Sequence, residues 1–231
     1  MAERVKRRYD SPRRREQAAA TRAQILAAAE RLFLRDGYAA TTMAAIAAEA
    51  RVALKTVYVA FETKSGLLRA LWNSRLRGGR DDVPMGEHPM YVEVLEEPDP
   101  ERQLRLNARN SRLGKLRIAA LADVIRGGAP SDPDIAELWD RINREYHANQ
   151  AAIVRSLHAK RALKPGLDVE RATDVLWTLN HPSTWQLLVA ARGWTPEDYE
   201  RWSADAACAQ LLSRADDASA APGTARSRGR S

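Results

Sequence analysis

The chain has 231 residues, a formal net charge of +7 and one cysteine, Cys208, so an internal disulfide is excluded. No apolar run approaches the roughly 20 residues of a membrane span, and the N-terminus lacks the apolar core of a secretion signal, so we expect a cytoplasmic protein. Apolar residues make up 45% of the chain, enough to bury a core, and no stretch alternates apolar with polar residues. A nearly all-helical protein is therefore predicted.

The positive charge is concentrated at the N-terminal end. Residues 1–64 carry 13 Lys and Arg against 7 Asp and Glu, and residues 213–231 carry 4 Arg against 2 Asp, so the middle of the chain is close to neutral. A basic end beside a neutral body indicates a polyanion contact at that end. We interpret residues 1–17 as a disordered arm that either enters a DNA minor groove or is simply solvated. Its basic residues are Arg4, Lys6, Arg7, Arg8, Arg13, Arg14 and Arg15.

The next segment predicts four helices in quick succession. Apolar residues at helical spacing indicate a first helix that ends at Gly37. Thr21 is a candidate N-cap for it, with an earlier start as the alternative. A short helix capped by Thr42 follows, then a tight turn, then a second short helix from about Leu54 to Phe61. Thr63 is expected to cap the next helix. Two short helices joined by a tight turn and flanked by longer ones predict a helix-turn-helix unit.

A helix-turn-helix places its second helix in the major groove, and its first helix crosses the phosphate backbone. Small or polar residues must then face the bases, and hydrogen-bond donors must flank them. Candidates for the base side are Ala53, Lys55, Thr56 and Val59, and candidates for the phosphate side are Thr42, Tyr58 and Lys64. Taken singly, Tyr58 is more simply a half-buried core residue and Lys64 a solvated one, but their joint spacing favours DNA binding.

The residues of this segment resemble a known family. The stretch VALKTVYVAFETKSGLL is similar to the signature of the TetR/AcrR-type transcriptional regulators, and TTMAAIAAEA and ILAAAERLFLRDGYAATT resemble the helices that precede it. The likeness covers residues 21 to about 72. It implies an all-α fold, in which an N-terminal three-helix helix-turn-helix DNA-binding domain is followed by a C-terminal helical effector-binding and dimerisation bundle.

The resemblance also implies partners and roles. It implies operator DNA, a small-molecule effector and a homodimer formed through residues 168–213, with repression the commoner outcome. By position, DNA contacts pass to Thr42, Lys55, Thr56, Tyr58 and Lys64. Leu54 then joins Lys55, Thr56 and Val59 as a candidate for the base side.

Two residues depart from the pattern of that family. Arg51 stands where glycine is usual in the turn, so a left-handed backbone there would carry strain. Ala53 stands where serine usually caps the second helix, which would cost about 1 kcal/mol of local stability. Arg51 could instead supply a further phosphate contact.

The predicted domains are residues 18–78 and 90–214, separated by a Gly/Pro-rich loop at 78–89 and followed by a disordered tail at 215–231. The second domain should hold a helix from Pro100 to about Gly127, one from Ser131 to about Ala162, and three more after Pro165-Gly166. Its aromatic and polar residues could wall an effector pocket, although core packing is the simpler explanation for each alone. The candidates are Asn110, Arg117, Trp139, Tyr146, Trp177 and Trp185.

The sequence holds no recognisable catalytic constellation. Its four histidines are scattered, and it contains neither a Gly-rich phosphate loop nor ligands at metal spacing. We therefore expect no enzyme, no cofactor and no metal. The favoured interpretation is a sequence-specific regulator released from a palindromic operator by an effector. The alternative is an effector-independent architectural DNA-binding protein, which a footprint would separate by its even coverage of DNA.

Overall fold

The computed structural model of the protein describes residues 12–77 and 88–213. These residues form helices and no β-strand, apart from an isolated bridge between Leu163 and Leu212. The predicted all-α fold is confirmed. The helices are α1 Pro12–Ala40, α2 Met43–Glu49, α3 Leu54–Phe61, α4 Lys64–Arg77, α5 Pro89–Glu96, α6 Pro100–Gly128, α7 Pro133–Ala159, α8 Val169–Asn180, α9 Pro182–Trp185 and α10 Pro196–Leu211.

The described residues divide into two compact units. The first comprises residues 12–77 together with Ala120–Asp140, and the second comprises 88–119 and 141–213. The end of α6 and the start of α7 thus belong with the N-terminal helices, whereas the sequence had assigned them to the second domain. Buried apolar residues on this segment, among them Leu121, Ile125 and Ile135, account for its place in the core of the first unit.

The second unit has a core of its own. Leu104 of α6, Val154 and Leu157 of α7, Leu176 of α8 and Leu211 of α10 are all buried in one cluster. They lie on the apolar stripes of four helices, which is why these helices pack with those faces inward.

Most predicted helix ends agree with the structure. Thr42 accepts a hydrogen bond from the backbone N–H of Ala45 at 3.1 Å, and Thr195 accepts one from Asp198 at 3.1 Å. These bonds satisfy backbone donors that the first turn of a helix leaves unpaired. Gly37 has a φ of +77°, and the helical path of α1 is broken there, as the predicted stop requires.

Four local features differ from what the sequence predicts. Thr21 is not an N-cap, because α1 begins at Pro12 and the Thr21 hydroxyl donates to the carbonyl of Gln17 at 2.9 Å. Residues 12–17 are therefore helical and not part of a disordered arm, while residues 1–11 lie outside the described residues. The sequence also missed α5, which His88 caps through its Nδ1 with Pro89 in the first turn. Finally, α9 continues into a π-helical segment, Gln186–Ala191, which the pattern did not distinguish from an α-helix.

In the described part of the chain, none of the helices is both long and apolar enough to cross a membrane. The predicted loop at 78–89 lies mostly outside the described residues, as does the predicted tail at 215–231.

Candidate nucleic-acid interface

The two short helices α2 and α3 bury one face each. Met43, Ile46 and Ala47 of α2 are buried, as are Val57 and Phe61 of α3. The spacing of three to four residues puts each set on a single stripe of its helix. Both helices are therefore fixed against the first unit by the side opposite to their polar residues.

The turn between them contains a left-handed residue at Arg51, the case in which the sequence analysis expects strain. Arg51 has a φ of +53°, in the left-handed region that normally favours glycine. The N–H of Arg51 bonds the carbonyl of Ala48 at 3.0 Å, and that of Val52 bonds the carbonyl of Ala47 at 3.0 Å. Ala53 precedes α3 in an extended conformation and provides no side-chain cap. The turn is thus closed by backbone hydrogen bonds at the cost of a strained Arg51 and an uncapped α3.

Side chains of α1 hold the ends of the two short helices. The Arg22 guanidinium donates to the carbonyl of Ala60 at 2.7 Å and lies 4.1 Å from the centre of the Phe61 ring. Gln24 donates from its side-chain amide to the carbonyl of Ala50 at 2.7 Å. These bonds satisfy carbonyls that a helix leaves unpaired at its C-terminus. The bond from Arg22 fixes the C-terminal end of α3, and the bond from Gln24 fixes that of α2.

The junction between α3 and α4 leaves room only for glycine at position 66. Thr63 caps α4, as predicted, by accepting from the N–H of Gly66 at 2.9 Å. A Cβ atom on Gly66 would lie 2.7 Å from the carbonyl oxygen of Phe61, which is backbone and cannot rotate away. The absence of a side chain therefore sets how closely α4 follows α3.

The outer face of α3 is open. Val59 is 76% exposed, Tyr58 47% and Leu54 41%, which is unusual for large apolar or aromatic side chains in a folded unit. Lys55 is exposed and Thr56 is half-buried. The structure thus brings all five predicted residues of α3 onto one short helix and leaves their contact face largely uncovered.

The candidates for phosphate contacts outside α3 differ in how exposed they are. Thr42 is exposed at the start of α2, where its hydroxyl serves as the cap, and Arg51 is exposed in the turn. Lys64 is half-buried, and its ammonium donates to the carbonyls of Tyr38 at 2.9 Å and Thr41 at 3.1 Å. Burial lowers the pKa of Lys64, although the nearby Asp132 acts against that shift. Two of its three donors are therefore committed to the chain itself.

Residues of the α6–α7 connection bond to α1 and α4 within the first unit. The buried Tyr38 hydroxyl donates to the Asp132 carboxylate, and the Ser65 hydroxyl donates to Asp134 at 2.9 Å. Burial and the Asp132 carboxylate raise the pKa of Tyr38 above its ordinary value. Sequence reasoning missed these pairs, because Tyr38 and Asp132 are 94 positions apart and no local pattern links them.

The second unit contains a cluster of buried polar side chains around Lys115. Its ammonium donates to the hydroxyl of Ser111 and lies 3.4 Å from the hydroxyl oxygen of Tyr146. The ring of Tyr199 lies 5.2 Å from the Lys115 nitrogen. Burial lowers the pKa of Lys115 to about 7 and raises that of Tyr146 to about 12, because both charged forms would lose their hydration.

Some predicted pocket residues lie at or beside this cluster. Tyr146 belongs to it, and Trp185 is buried with its ring 5.1 Å from that of Tyr199. Trp177 packs against His181, with the ring centres 4.7 Å apart, and its Nε1 is buried without a hydrogen-bond partner. Sequence reasoning missed Lys115.

The other predicted pocket residues lie elsewhere. The Asn110 amide donates to the carbonyl of Met90 at 2.6 Å, which ties α6 to α5. Arg117 is exposed, and Trp139 belongs to the first unit. Among the described residues no group of three or more His, Cys, Asp or Glu could hold a metal ion.

Two short helices each bury one face against the flanking helices, and the second of them leaves its outer face exposed. This is the arrangement of a helix-turn-helix DNA-binding regulator. The family model described as "Bacterial regulatory proteins, tetR family" matches residues 25–71. The probable HTH-type transcriptional regulator ArpR of Pseudomonas putida is 32% identical over 171 residues, covering 71% of this chain and 79% of ArpR. TtgR, an HTH-type transcriptional regulator of the same species, is 31% identical with the same coverage. The chain belongs to the TetR family of transcriptional regulators, whose members are typically repressors with a ligand-binding C-terminal domain.

A solved structure shares the fold. SmeT of Stenotrophomonas maltophilia in complex with triclosan superposes with a TM-score of 0.67 at 21% identity, covering 89% of this chain and 96% of SmeT. At this identity the likeness concerns the fold alone.

Proposed function

We propose that the protein is a repressor that binds a palindromic operator as a homodimer and leaves it when a small-molecule effector binds the second unit. The observation that carries this proposal is the open face of α3, where Tyr58 and Val59 are 47% and 76% exposed on a helix whose other side is buried. Such a face suits the major groove, which accepts one helix and presents a distinct pattern for every base pair.

Bases are contacted by the outward residues of α3. Lys55 donates to guanine acceptors, and Leu54 and Val59 contact thymine methyl groups. Thr56 lies half-buried on the same helix, where its hydroxyl reaches the edge of the groove. These residues decide which sequence is bound.

Phosphates are contacted from both sides of α3. Thr42 and Tyr58 donate to phosphate oxygens, and the exposed Arg51 adds a charged contact from the turn. Lys64 acts indirectly in this proposal: its bond to the Thr41 carbonyl, 3.1 Å long, fixes the residue next to Thr42. The exposed Arg13, Arg14 and Arg15 extend the basic surface along the start of α1.

Two copies associate through residues 168–213, which contain α8 and α10. Support comes from Leu187, a large apolar residue that is 65% exposed in this region of the single chain. A two-fold dimer carries two α3 helices, so its operator consists of two half-sites about one DNA turn apart, roughly 34–36 Å.

Release follows from differential binding, because an effector shifts an equilibrium only if it binds the DNA-incompetent form more tightly. Helices α6 and α7 contribute residues to both units. A displacement of either helix on effector binding would reach Asp132 and Asp134, whose carboxylates bond Tyr38 and Ser65. Asp132 and Asp134 are thus the proposed link to α1 and α4, the helices that flank α2 and α3.

Selection of bound fragments from random DNA tests the operator proposal. We expect an enriched palindrome, and a footprint of one defined site on a fragment that contains it. Enrichment without any consensus, together with even protection along the DNA, would instead favour an architectural role. A protein that remains monomeric at micromolar concentration, with and without DNA, would refute the dimer.

A further inference from the structure

We propose that Lys115 is the binding group for an effector that carries an anionic oxygen group, a carboxylate or a phenolate. This inference rests on the proposed function, because it names the chemical class of ligand that the second unit takes. Four observations carry it: the unfilled donors of Lys115, the lack of a countercharge, the way the neighbouring hydroxyls are committed, and the π-helical segment next to the cluster.

The ammonium of Lys115 has more donors than partners. A lysine presents three N–H groups and accepts nothing. One of them donates to the Ser111 hydroxyl, and the Tyr146 oxygen lies at 3.4 Å, a long distance for a hydrogen bond. The remaining neighbours are aromatic faces, with the Tyr199 ring centre at 5.2 Å and that of Tyr146 at 5.9 Å. A ligand oxygen would complete the coordination of the ammonium.

The charge of Lys115 is uncompensated. The residue is 3% exposed, and no carboxylate of the described residues 12–77 and 88–213 forms a salt bridge with it. A buried ion without a partner is costly, since it gives up its hydration for nothing of equal strength. Burial alone lowers the pKa of this lysine, and no acidic neighbour raises it again. An anionic group arriving beside it would restore the missing countercharge.

The neighbouring tyrosine hydroxyls cannot donate to a ligand oxygen, because their protons are already used. The Tyr146 hydroxyl donates to the carbonyl of Asn180 at 2.6 Å, and the Tyr199 hydroxyl donates to the carbonyl of Leu179 at 2.7 Å. Both phenol protons are thus bound at the end of α8, and neither is available to a ligand oxygen. The lysine is the strongest free donor in the cluster.

The helix that follows α9 is irregular next to this cluster. The Gln186 amide, the first residue of the π-helical segment, donates to the carbonyl of Ala119 at 3.0 Å, one turn beyond Lys115 on α6. A π-helical turn is wider than an α-helical one and is frequently found at functional sites. Leu188 and Val189 of this segment pack against the core group of Ala119, Trp185 and Tyr199, and the ring of Tyr199 is also the aromatic face near Lys115.

Matched acid and amide probes test the inference on the full-length protein. Acetate, benzoate and 1-naphthoate are compared with acetamide, benzamide and 1-naphthamide by isothermal titration calorimetry at pH 8. We expect at least one acid to bind roughly tenfold or more tightly than its amide. Titration in buffers of different ionisation enthalpy should show uptake of a fraction of a proton per site, because the anion draws a proton onto Lys115. Equal binding of acids and amides, or no binding of any acid, would overturn the inference.

Two variants test whether the positive charge that binds the acid is that of Lys115. Lys115→Met removes the ammonium from a side chain of similar length and should abolish both the preference for the acid and the proton uptake. Arg109→Met removes an exposed positive charge from the same helix and should leave both unchanged. If Lys115→Met fails to fold, as judged by circular dichroism, the inference is tested on the unmodified protein alone. Its acid-to-amide affinity ratio and its proton uptake are then the two deciding measurements. Proton uptake of zero would overturn the inference.

The operator experiment separates this inference from the function on which it rests. A preparation that selects a palindrome but shows no preference for acids retains the proposed function and loses the anionic effector. A preparation that binds acids through Lys115 but selects no DNA sequence retains the anion site and loses the operator.

Discussion

The Lys64 ammonium lies 2.9 Å from the carbonyl oxygen of Tyr38 and 4.1 Å from the centre of the Tyr38 ring. The same Tyr38 donates from its hydroxyl to Asp132. One aromatic residue at the end of α1 thus contacts the first residue of α4 and the start of α7. Tyr38 is 4% exposed, so these contacts are shielded from water, and polar contacts there are stronger than at the surface.

Replacement of Lys64 by Met should weaken operator binding without removing a charge from the DNA contact. The Tyr38 and Thr41 carbonyls would lose a partner, which costs about 1–3 kcal/mol of stability for a group left unsatisfied. We expect a lower melting temperature and weaker binding, with an unchanged slope of log K against log salt. A slope reduced by about one would instead show a direct phosphate contact.

Replacement of Lys55 by Ala should relax sequence preference at one operator position. A lysine bonded to guanine contributes about 1–3 kcal/mol of discrimination, so the affinities for matched and mismatched operators should converge. Arg109→Ala is the charge-matched control, since it removes a positive charge from α6 and should not alter either affinity. Electrophoretic mobility shifts on single-substitution operators measure the difference, and unchanged discrimination would remove Lys55 from the base contacts.

Introducing a cap at Ala53 should stabilise the protein. Ala53 is extended and offers α3 no side-chain acceptor, so Ala53→Ser supplies one at the usual position. The expected gain is about 1 kcal/mol in the free energy of unfolding, measured by chemical denaturation. Ala53→Val, which has no acceptor, should give no such gain.

Two glycine-to-alanine substitutions should act in opposite directions. At Gly66 the new Cβ would meet the Phe61 carbonyl at 2.7 Å, so Gly66→Ala should lower both stability and operator affinity. At Gly114, inside α6, no atom lies within 4 Å of the new Cβ, and Gly114→Ala should stabilise by about 0.5–1 kcal/mol. Thermal unfolding compares the two, and equal effects would contradict the close approach at Gly66.

Lys115 should make stability depend on pH. Its pKa is about 7 in the folded protein and returns to its ordinary value of 10.5 on unfolding. Between these values the unfolded chain binds more protons, so the free energy of unfolding rises with pH by about 1 kcal/mol per unit. Below pH 7 both states are protonated and this contribution is constant.

Lys115→Met should remove the contribution of this lysine to the pH dependence of stability, so this variant serves as the reference. The stability difference between the variant and the unmodified protein should change steadily from pH 7 to pH 9 in denaturant titrations. Above pH 10 the tyrosines act in the opposite sense, because the raised pKa values of Tyr38 and Tyr199 make the unfolded state lose protons first. A difference that is constant from pH 7 to pH 9 would contradict the buried, uncompensated lysine.

The prediction of the helix-turn-helix succeeded because its signals are local. Thr42 and Thr63 cap backbone groups three residues ahead, and the buried stripe of α3 repeats every four residues. Strain at Arg51 follows from the sequence only if the turn needs a left-handed residue, and the structure meets that condition. Thr21 failed because a threonine inside a helix can bond back to the preceding turn as readily as cap the next one.

The sequence by itself determined the order and ends of most helices, since caps, breaks and apolar periodicity act over three or four residues. Only the tertiary structure decided what its lysines do. Lys55 is exposed on α3, Lys64 is directed at two carbonyls, and Lys115 is enclosed in the second unit. The three side chains are chemically identical. They differ in which distant residues pack around them, and that packing sets whether an ammonium meets water, a carbonyl oxygen or an aromatic face.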